Sequence, residues 1–431
     1  MDNINLLDKT INNFPRNINT IEKSHSLVTN KNIIIKIFES ITTNNNYKYS
    51  IKIFFILFIF AVINIEIKTP QIDLNNYLDK VYGEEDLLSI IKEKEKEMIF
   101  TFGSKRKRIK NEIENIYNII EKIKEKKQKF INSNKKIIRE DGKLILDCSY
   151  SLNNGYILQT LVAMTSLVKN AGNNTFYNIY LLISPDFTEE NKEIMMSVEK
   201  HNKDHCKIIM INMGNSYINY DTNTRIPTAS YYRLSLHNLL PNVDRILHMD
   251  GDTAVFQDLS ELITLDMKGN YILGYLDSAR SDLLEKYGKK NSIILCAGVL
   301  LMDLSGLRQN NYTSKFKEFL DKNIGNIDQH DQTTINVVCQ EKISILPPKY
   351  GLWNFQNKYD FRRHNNLQKS RISFNEKEAS MAYEHPSILH YVKAKPFHRH
   401  TNKYYFKEWW KYAKETDYYD EIYKYYKTVN C

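Results

Sequence analysis

Asp250 and Asp252 stand one residue apart, and two carboxylates at that spacing can face a single divalent ion. Oxygen ligands of this kind suit Mn²⁺ or Mg²⁺. Spacing alone is a weak sign, because most such pairs are solvated turns. Position strengthens it. The pair follows residues 245–249, a mostly apolar stretch that reads as a strand entering a core. Open α/β sheets bind their ligands beyond the carboxyl ends of such strands. Gly251 is expected to take the tight backbone that this strand end requires. Asp258 is placed to cap the next helix, with Glu261 three positions on to complete a capping box.

Other chemistry-bearing residues are scattered along the chain. Tyr156 follows the polar stretch Asn153-Asn154-Gly155 at a helix start, where an aromatic ring serves base stacking or core packing. Arg233 offers a forked donor to phosphate or carboxylate, a geometry that a buried ion pair uses equally well. Asp277 ends an apolar stretch, and Asp331-Gln332 opens a helix, where a cap and its neighbour are an ordinary finding. His390 and Lys395 close a short apolar run, where a packed histidine and a solvated lysine are the ordinary finding. Cys296 has apolar neighbours and no general base beside it, so it reads as a core cysteine.

Positioning these groups requires a scaffold that begins near Leu144. Strands are expected at 144–146, 176–184, 206–211, 245–249, 271–276 and 294–302, with helices at 157–168, after Thr188, and at 231–239. Their alternation predicts an α/β domain over 144–431: a mixed or mostly parallel, Rossmann-like sheet with helices on both faces. The aromatic-rich end, including Trp409-Trp410-Lys411-Tyr412, is expected to pack on it.

The 431 residues, 42% of them hydrophobic, suffice for one large domain plus extensions. A formal charge of +9 fits anionic partners, but no zinc-finger spacing or RNA-binding signature is present, and no nucleic-acid partner is expected. The five cysteines are far apart and odd in number, which makes no disulfide framework. Residues 1–50 are polar and aperiodic and read as a disordered cytoplasmic tail. Residues 51–67 hold a short apolar run that is expected to act as a transmembrane signal-anchor, with lysines ahead of it favouring a cytoplasmic N terminus. The chain is then a single-pass type II membrane protein of a secretory, Golgi-like compartment if eukaryotic; the alternative is a cytoplasmic enzyme. Residues 71–140 read as a charged helical stalk. Its isoleucines at 109, 113, 116, 120 and 123 form a heptad seam, suited to self-association or to packing on the domain.

In order along the chain, several segments resemble the motifs of family 8 retaining glycosyltransferases, the glycogenin and bacterial galactosyltransferase group. They are Asn153-Asn154-Gly155-Tyr156, the helix carrying Tyr231 and Arg233, Asp250-Gly251-Asp252, Asp277, Leu295 to Met302, Asp331-Gln332, and the stretch from Ile388 through His390 and Lys395. The resemblance implies a GT-A type fold and transfer of a hexose, galactose or glucose, from a UDP-sugar with retention at the anomeric carbon. Asp250, Asp252 and His390 would hold Mn²⁺, with Mg²⁺ as the alternative. Asn153, Asn154 and Tyr156 would meet the nucleoside. Arg233, Gly251 and Lys395 would serve the donor and its diphosphate. Cys296, Ala297, Gly298, Asp277 and Asp331 would line the donor sugar, with Gln332 beside the anomeric centre. The acceptor would be a glycan, glycolipid or glycoprotein. The family pattern has asparagine where Cys296 stands, an acid where Thr333 stands and asparagine where Gly155 stands. These departures leave a weak or inactive glycan-binding scaffold of the same fold as one alternative. A metal-dependent phosphohydrolase is the other, and it needs a second acidic cluster.

Overall fold

The computed structural model describes residues 84–220, 227–277, 284–289, 292–353, 382–392, 395–396 and 403–429, all within one compact unit, Ile72–Cys431. Seven strands form its main sheet: β1 (Leu144–Leu152), β2 (Thr175–Ile183), β3 (Cys206–Asn212), β4 (Arg245–Met249), β6 (Ile272–Leu276), β7 (Leu295–Asp303) and β8 (Ile343–Ile345). Their spatial order is β3-β2-β1-β4-β7-β6-β8. The first four run parallel, and β7 is antiparallel to both β4 and β6. Because successive strand side chains face opposite ways, Leu247 and Met249 enter one core while Ile246 enters the other. A strand sandwiched between two cores is apolar on both faces, which is why Ile246, Leu247 and Met249 dominate β4, and the one fully buried polar ring, His248, is bonded to Ser149 at 2.9 Å.

The strand order reverses between β1 and β4. The chain leaves β1, builds β2 and β3 on one side, and returns to lay β4 on the other. Such a switch point opens a crevice at the carboxyl ends, and Asn153 and Asp250 are the residues that immediately follow β1 and β4. A second sheet, β5-β10-β9, lies beside it, made by β5 (Thr253–Val255), β9 (Leu352–Trp353) and β10 (Ile388–His390). β10 pairs antiparallel with β5 and sets His390 opposite Thr253.

Two helices precede the sheet, α1 (Glu84–Ile99) and α2 (Gly103–Ser133). The stretch read as a stalk is therefore a hairpin. Its seam is closed within the chain: Ile109, Ile113, Ile116 and Ile120 bury against Leu87, Ile90 and Ile91 of α1. That occupies the surface through which self-association was expected. Lys126 reaches Asp266 at 2.6 Å, and the buried Lys349 joins Asp86 of α1 to Glu261 at 3.2 and 3.0 Å.

Three expectations need correction. The expected membrane anchor, and with it the type II placement in a secretory compartment, is not carried forward. Among the described residues no helix is long and apolar enough to cross a membrane; α2, with 31 residues, is charged along its length. The apolar run at 51–67 itself lies outside the described residues. Residues 231–239 form a 3₁₀ stretch, Thr228–Ser235, followed by one α-turn, Leu236–Leu239. The capping box does not form, because both acids are engaged elsewhere. Asp258 accepts from the Gly172 and Ser260 amides and the Tyr177 hydroxyl, while Glu261 binds Lys349 and Tyr350.

The remaining helices clothe the sheet. α3 (Ile157–Lys169) is buried along most of its length, and α4 (Glu189–His201) starts at Thr188, whose side chain accepts from the Asn191 amide. The C-terminal helices α5 (Lys403–Lys414) and α6 (Tyr419–Val429) fold back on α3, where the Tyr426 hydroxyl donates to Gln159 at 2.6 Å. Trp409 is fully buried there, so the aromatic end is core.

Candidate functional site

A cleft of about 280 Å³ opens over the switch point, lined by Asn153, Tyr156, Arg233, Asp250, Gly251, Asp252, Cys296, Ala297, Gly298, Asp331, Gln332 and His390, among others. Asp250 and Asp252 come from the turn after β4. His390, 138 positions later, is delivered by β10: its Nε2 lies 2.9 Å from Asp252 Oδ1 and 3.6 Å from Asp250 Oδ2. One ligand atom from each of the three side chains lies within 4.8 Å of the other two. Two carboxylates and an imidazole make an oxygen and nitrogen donor set that fits a divalent ion of the Mn²⁺ type. The other imidazole nitrogen, Nδ1, is held at 2.6 Å by the Tyr275 hydroxyl, the kind of outer contact that orients a ligating histidine.

Gly251 is glycine for a reason other than the one expected. Its φ is not positive; instead, a Cβ there would meet Thr160 Oγ1 of α3 at 2.1 Å. The turn is pressed against α3, and only bare backbone fits. The same holds for Gly298, whose Cβ would lie 2.0 Å from the His390 ring.

Around this trio the charges are tightly paired. Burial alone would raise the Asp252 carboxyl, but the Lys395 ammonium and the His390 ring hold it well below the usual carboxylate range. Burial works against a charge on His390, yet Asp252 raises it to about 10. Arg233 is almost fully buried and fully engaged. Nη2 binds Asp250 at 2.6 Å, Nη1 the Ala297 carbonyl, and Nε the Ser230 carbonyl at 3.0 Å, with Asp331 Oδ2 at 3.2 Å. Burial pushes Asp331 up to about 6 despite that guanidinium.

One side of the cleft is built by an irregularity in the sheet. Between the pairs Gly274–Leu300 and Leu276–Leu295, the four residues Cys296 to Val299 stand opposite the single Tyr275. A bulge of this kind breaks regular pairing and re-aims side chains. Here it turns the backbone towards the cleft: Gly298 O accepts from the Asp250 amide at 2.8 Å, and the Ala297 amide donates to Gln332 Oε1 at 3.1 Å. Gln332 Nε2 in turn donates to Asp277 at 2.9 Å, so its amide is fixed at both ends.

Three sequence-predicted residues are absent from the cleft lining, and one of them, Lys395, meets it through Asp252. Asn154 donates to Asp186 and accepts from Asn191, tying β1 to α4, and Asp277 reaches the site through Gln332. Asn153 lines the cleft, yet its side chain accepts from the Gly155 amide as a cap. Tyr275 is the residue that sequence reasoning missed. It lies within β6, two positions before Asp277, which follows the strand end, and that nearness to a predicted site residue was the available signal.

A model of glycosyl transferase family 8 matches residues 147–401, more than half of the chain. General stress protein A of Bacillus subtilis is 24% identical over 208 residues, 47% of this chain and 70% of that protein. Glycosyltransferase GlyE of Streptococcus pneumoniae is 26% identical over 263 residues, 60% of this chain and 58% of that protein. The crystal structure of the galactosyltransferase LgtC, in complex with donor and acceptor sugar analogues, superposes with a TM-score of 0.54 at 19% identity, covering 63% of this chain and 96% of that one. At that identity the likeness speaks for the fold, a GT-A type α/β sheet. On the family match, which runs from within β1 to beyond β10, this chain belongs to glycosyl transferase family 8.

Proposed function

We propose that the protein is a metal-dependent retaining hexosyltransferase, taking galactose or glucose from a UDP-sugar and passing it to a glycan, glycolipid or glycoprotein acceptor. The observation that carries the reading is the convergence of Asp250, Asp252 and His390 at the mouth of a switch-point cleft. These three would hold Mn²⁺, or Mg²⁺ in its place. When bound, the ion supplies a Lewis acid for the donor diphosphate. The partly exposed Tyr156 ring, which lines the same cleft, offers a face to the uracil, with Asn153 for the ribose. Lys395 offsets diphosphate charge as UDP leaves. Arg233 serves by fixing Asp250 and Asp331, since each of its nitrogens is already engaged.

Gln332 and Asp331 face the sugar. Asp331 Oδ2 is ion-paired with Arg233 Nε at 3.2 Å but accepts no hydrogen bond among the described residues, which leaves a lone pair for a sugar hydroxyl. The bond from C1 to the phosphate oxygen breaks with its electron pair going to UDP. The acceptor oxygen then bonds to C1 on the same face, and its proton passes to the departing phosphate. Gln332, an amide pinned by Ala297 and Asp277, positions the anomeric centre and forms no covalent link.

Incubation with a panel of UDP-sugars and Mn²⁺, reading UDP release and transfer to added glycans, tests this. Transfer faster than hydrolysis is expected, with loss of at least 100-fold, an order-of-magnitude figure for an electrostatic contact at the reacting centre, in D252A. Full activity in D252A, or no binding of UDP in the presence of Mn²⁺, would sink the proposal. A phosphohydrolase working through a two-ion clamp is disfavoured, because one such ligand group is found among the described residues.

A further inference from the structure

We infer that Tyr275 and Cys296 are positioning residues that lock the His390 ring in the tautomer able to ligate a divalent cation. The inference rests on the proposed ligand set of Asp250, Asp252 and His390, and adds to it the device that prepares the histidine. All three side chains are buried, at 4% exposure for Tyr275, 6% for Cys296 and 4% for His390. The Tyr275 hydroxyl touches both neighbours: His390 Nδ1 at 2.6 Å on one side and Cys296 Sγ on the other.

Proton counting gives the contact its meaning. To ligate a cation, Nε2 must present its lone pair, so the single proton of the neutral ring sits on Nδ1. Nδ1–H then donates to the Tyr275 oxygen. A phenol carries one proton, and while its oxygen accepts from histidine that proton must point to another acceptor. The Cys296 sulfur is an acceptor placed against it. Removing the sulfur takes away the acceptor seen on that side and shifts the balance towards a phenol proton that points at Nδ1. The ring proton then moves to Nε2, the nitrogen that faces Asp252, and the lone pair is lost to the cation.

Packing supports the same arrangement independently. Gly298 leaves the space that a Cβ would take 2.0 Å from the His390 ring, and Gly351 leaves the space that a Cβ would take 2.2 Å from the Tyr275 ring. Two glycines from different elements thus seat the two rings against bare backbone. The rings meet edge to face, at 79° with centroids 6.0 Å apart. The bulge that sets Cys296 to Val299 opposite Tyr275 brings the thiol to the phenol.

The test is Mn²⁺ affinity of the full chain without donor, by titration calorimetry or by paramagnetic resonance of free Mn²⁺. Y275F and C296A are expected to weaken binding by about 10- to 100-fold, the usual effect of losing an outer-shell partner. C296S, which keeps an acceptor, is expected to bind within a few-fold of the parent. A ¹⁵N-histidine spectrum in Mg²⁺, with the His390 signal assigned by its loss in H390A, should show the proton on Nδ1 in the parent and on Nε2 in C296A. Parent-like affinity in both Y275F and C296A, each with unchanged melting temperature, would overturn the inference. So would equal weakening in C296S and C296A, since sulfur shape and not acceptance would then matter. Parent-like affinity in H390A would overturn the ligand set itself, and the inference with it, which separates the two failures.

Discussion

At the scale of single residues, the site is made as much by missing atoms as by ligands. Gly251 lets the carboxylate turn rest on Thr160, and Gly298 lets His390 lie over β7. G251A should cost about 1–3 kcal/mol through the forced contact with Thr160 Oγ1. Most of that loss should return in G251A/T160A, because removing the hydroxyl leaves the nearest side-chain atom gone. Urea unfolding of the two variants and of T160A alone measures the coupling. Simple additivity would mean that Thr160 is not the obstacle. Arg233 makes the complementary point with charge: a guanidinium at 4% exposure is shared between Asp250 and Asp331, and burial opposes the charge on Asp331.

At the scale of elements, the short strands do the assembling. β10 has three residues, yet by pairing with β5 it carries His390 to a turn formed 138 positions earlier. The α1–α2 hairpin is a separate cluster with its own small core, attached by Lys349 and Lys126. An aspartate at Ile116, which is 1% exposed, places an unpaired charge in that core at a cost on the order of 3 kcal/mol. In I116D, limited proteolysis should cut within 103–133 first. Binding of UDP with Mn²⁺ should persist, since every residue assigned to the site lies beyond Leu144. Loss of that binding in step with hairpin cleavage would show that the hairpin supports the sheet directly.

At the scale of the whole molecule, a member of glycosyl transferase family 8 is built on a sheet whose polar interior groups set how stability responds to pH. Asp147 on β1 is half-buried across from Asn178, at 2.9 Å. Burial pushes its carboxyl up to about 6, while hydrogen bonds from Asn178 and Tyr180 hold it back. The folded value lies above the unfolded one. The contribution of Asp147 is therefore fully present below about pH 4 and is lost as pH rises through about 6. Relative to D147N, the parent should gain stability between pH 7 and pH 5, read from urea midpoints at both values. A constant gap would show that Asp147 titrates normally in the fold. His248, buried beside Ser149 at 2.9 Å, adds a ring that burial holds well below its ordinary range and hence neutral.

The strands and the crevice were legible because they obey local rules. A strand covered on both faces is mostly apolar, as Ile246, Leu247 and Met249 show, with the one buried polar ring, His248, bonded to Ser149; the residues that follow such strands in an α/β sheet face ligands. The hairpin partner of the heptad seam was not legible, because seven-residue spacing announces an apolar stripe without naming what covers it. Nor was the capping box, since Asp258 and Glu261 are claimed by Gly172, Tyr177, Lys349 and Tyr350, partners 81 to 89 positions away. Tyr275 carries no motif, and its link to His390 spans 115 positions. Residue type and period determined which segments form elements and which groups are fit for chemistry. The pairing of those groups was decided by strand order, by one bulge and by the space that glycines leave, and these exist only when distant segments pack.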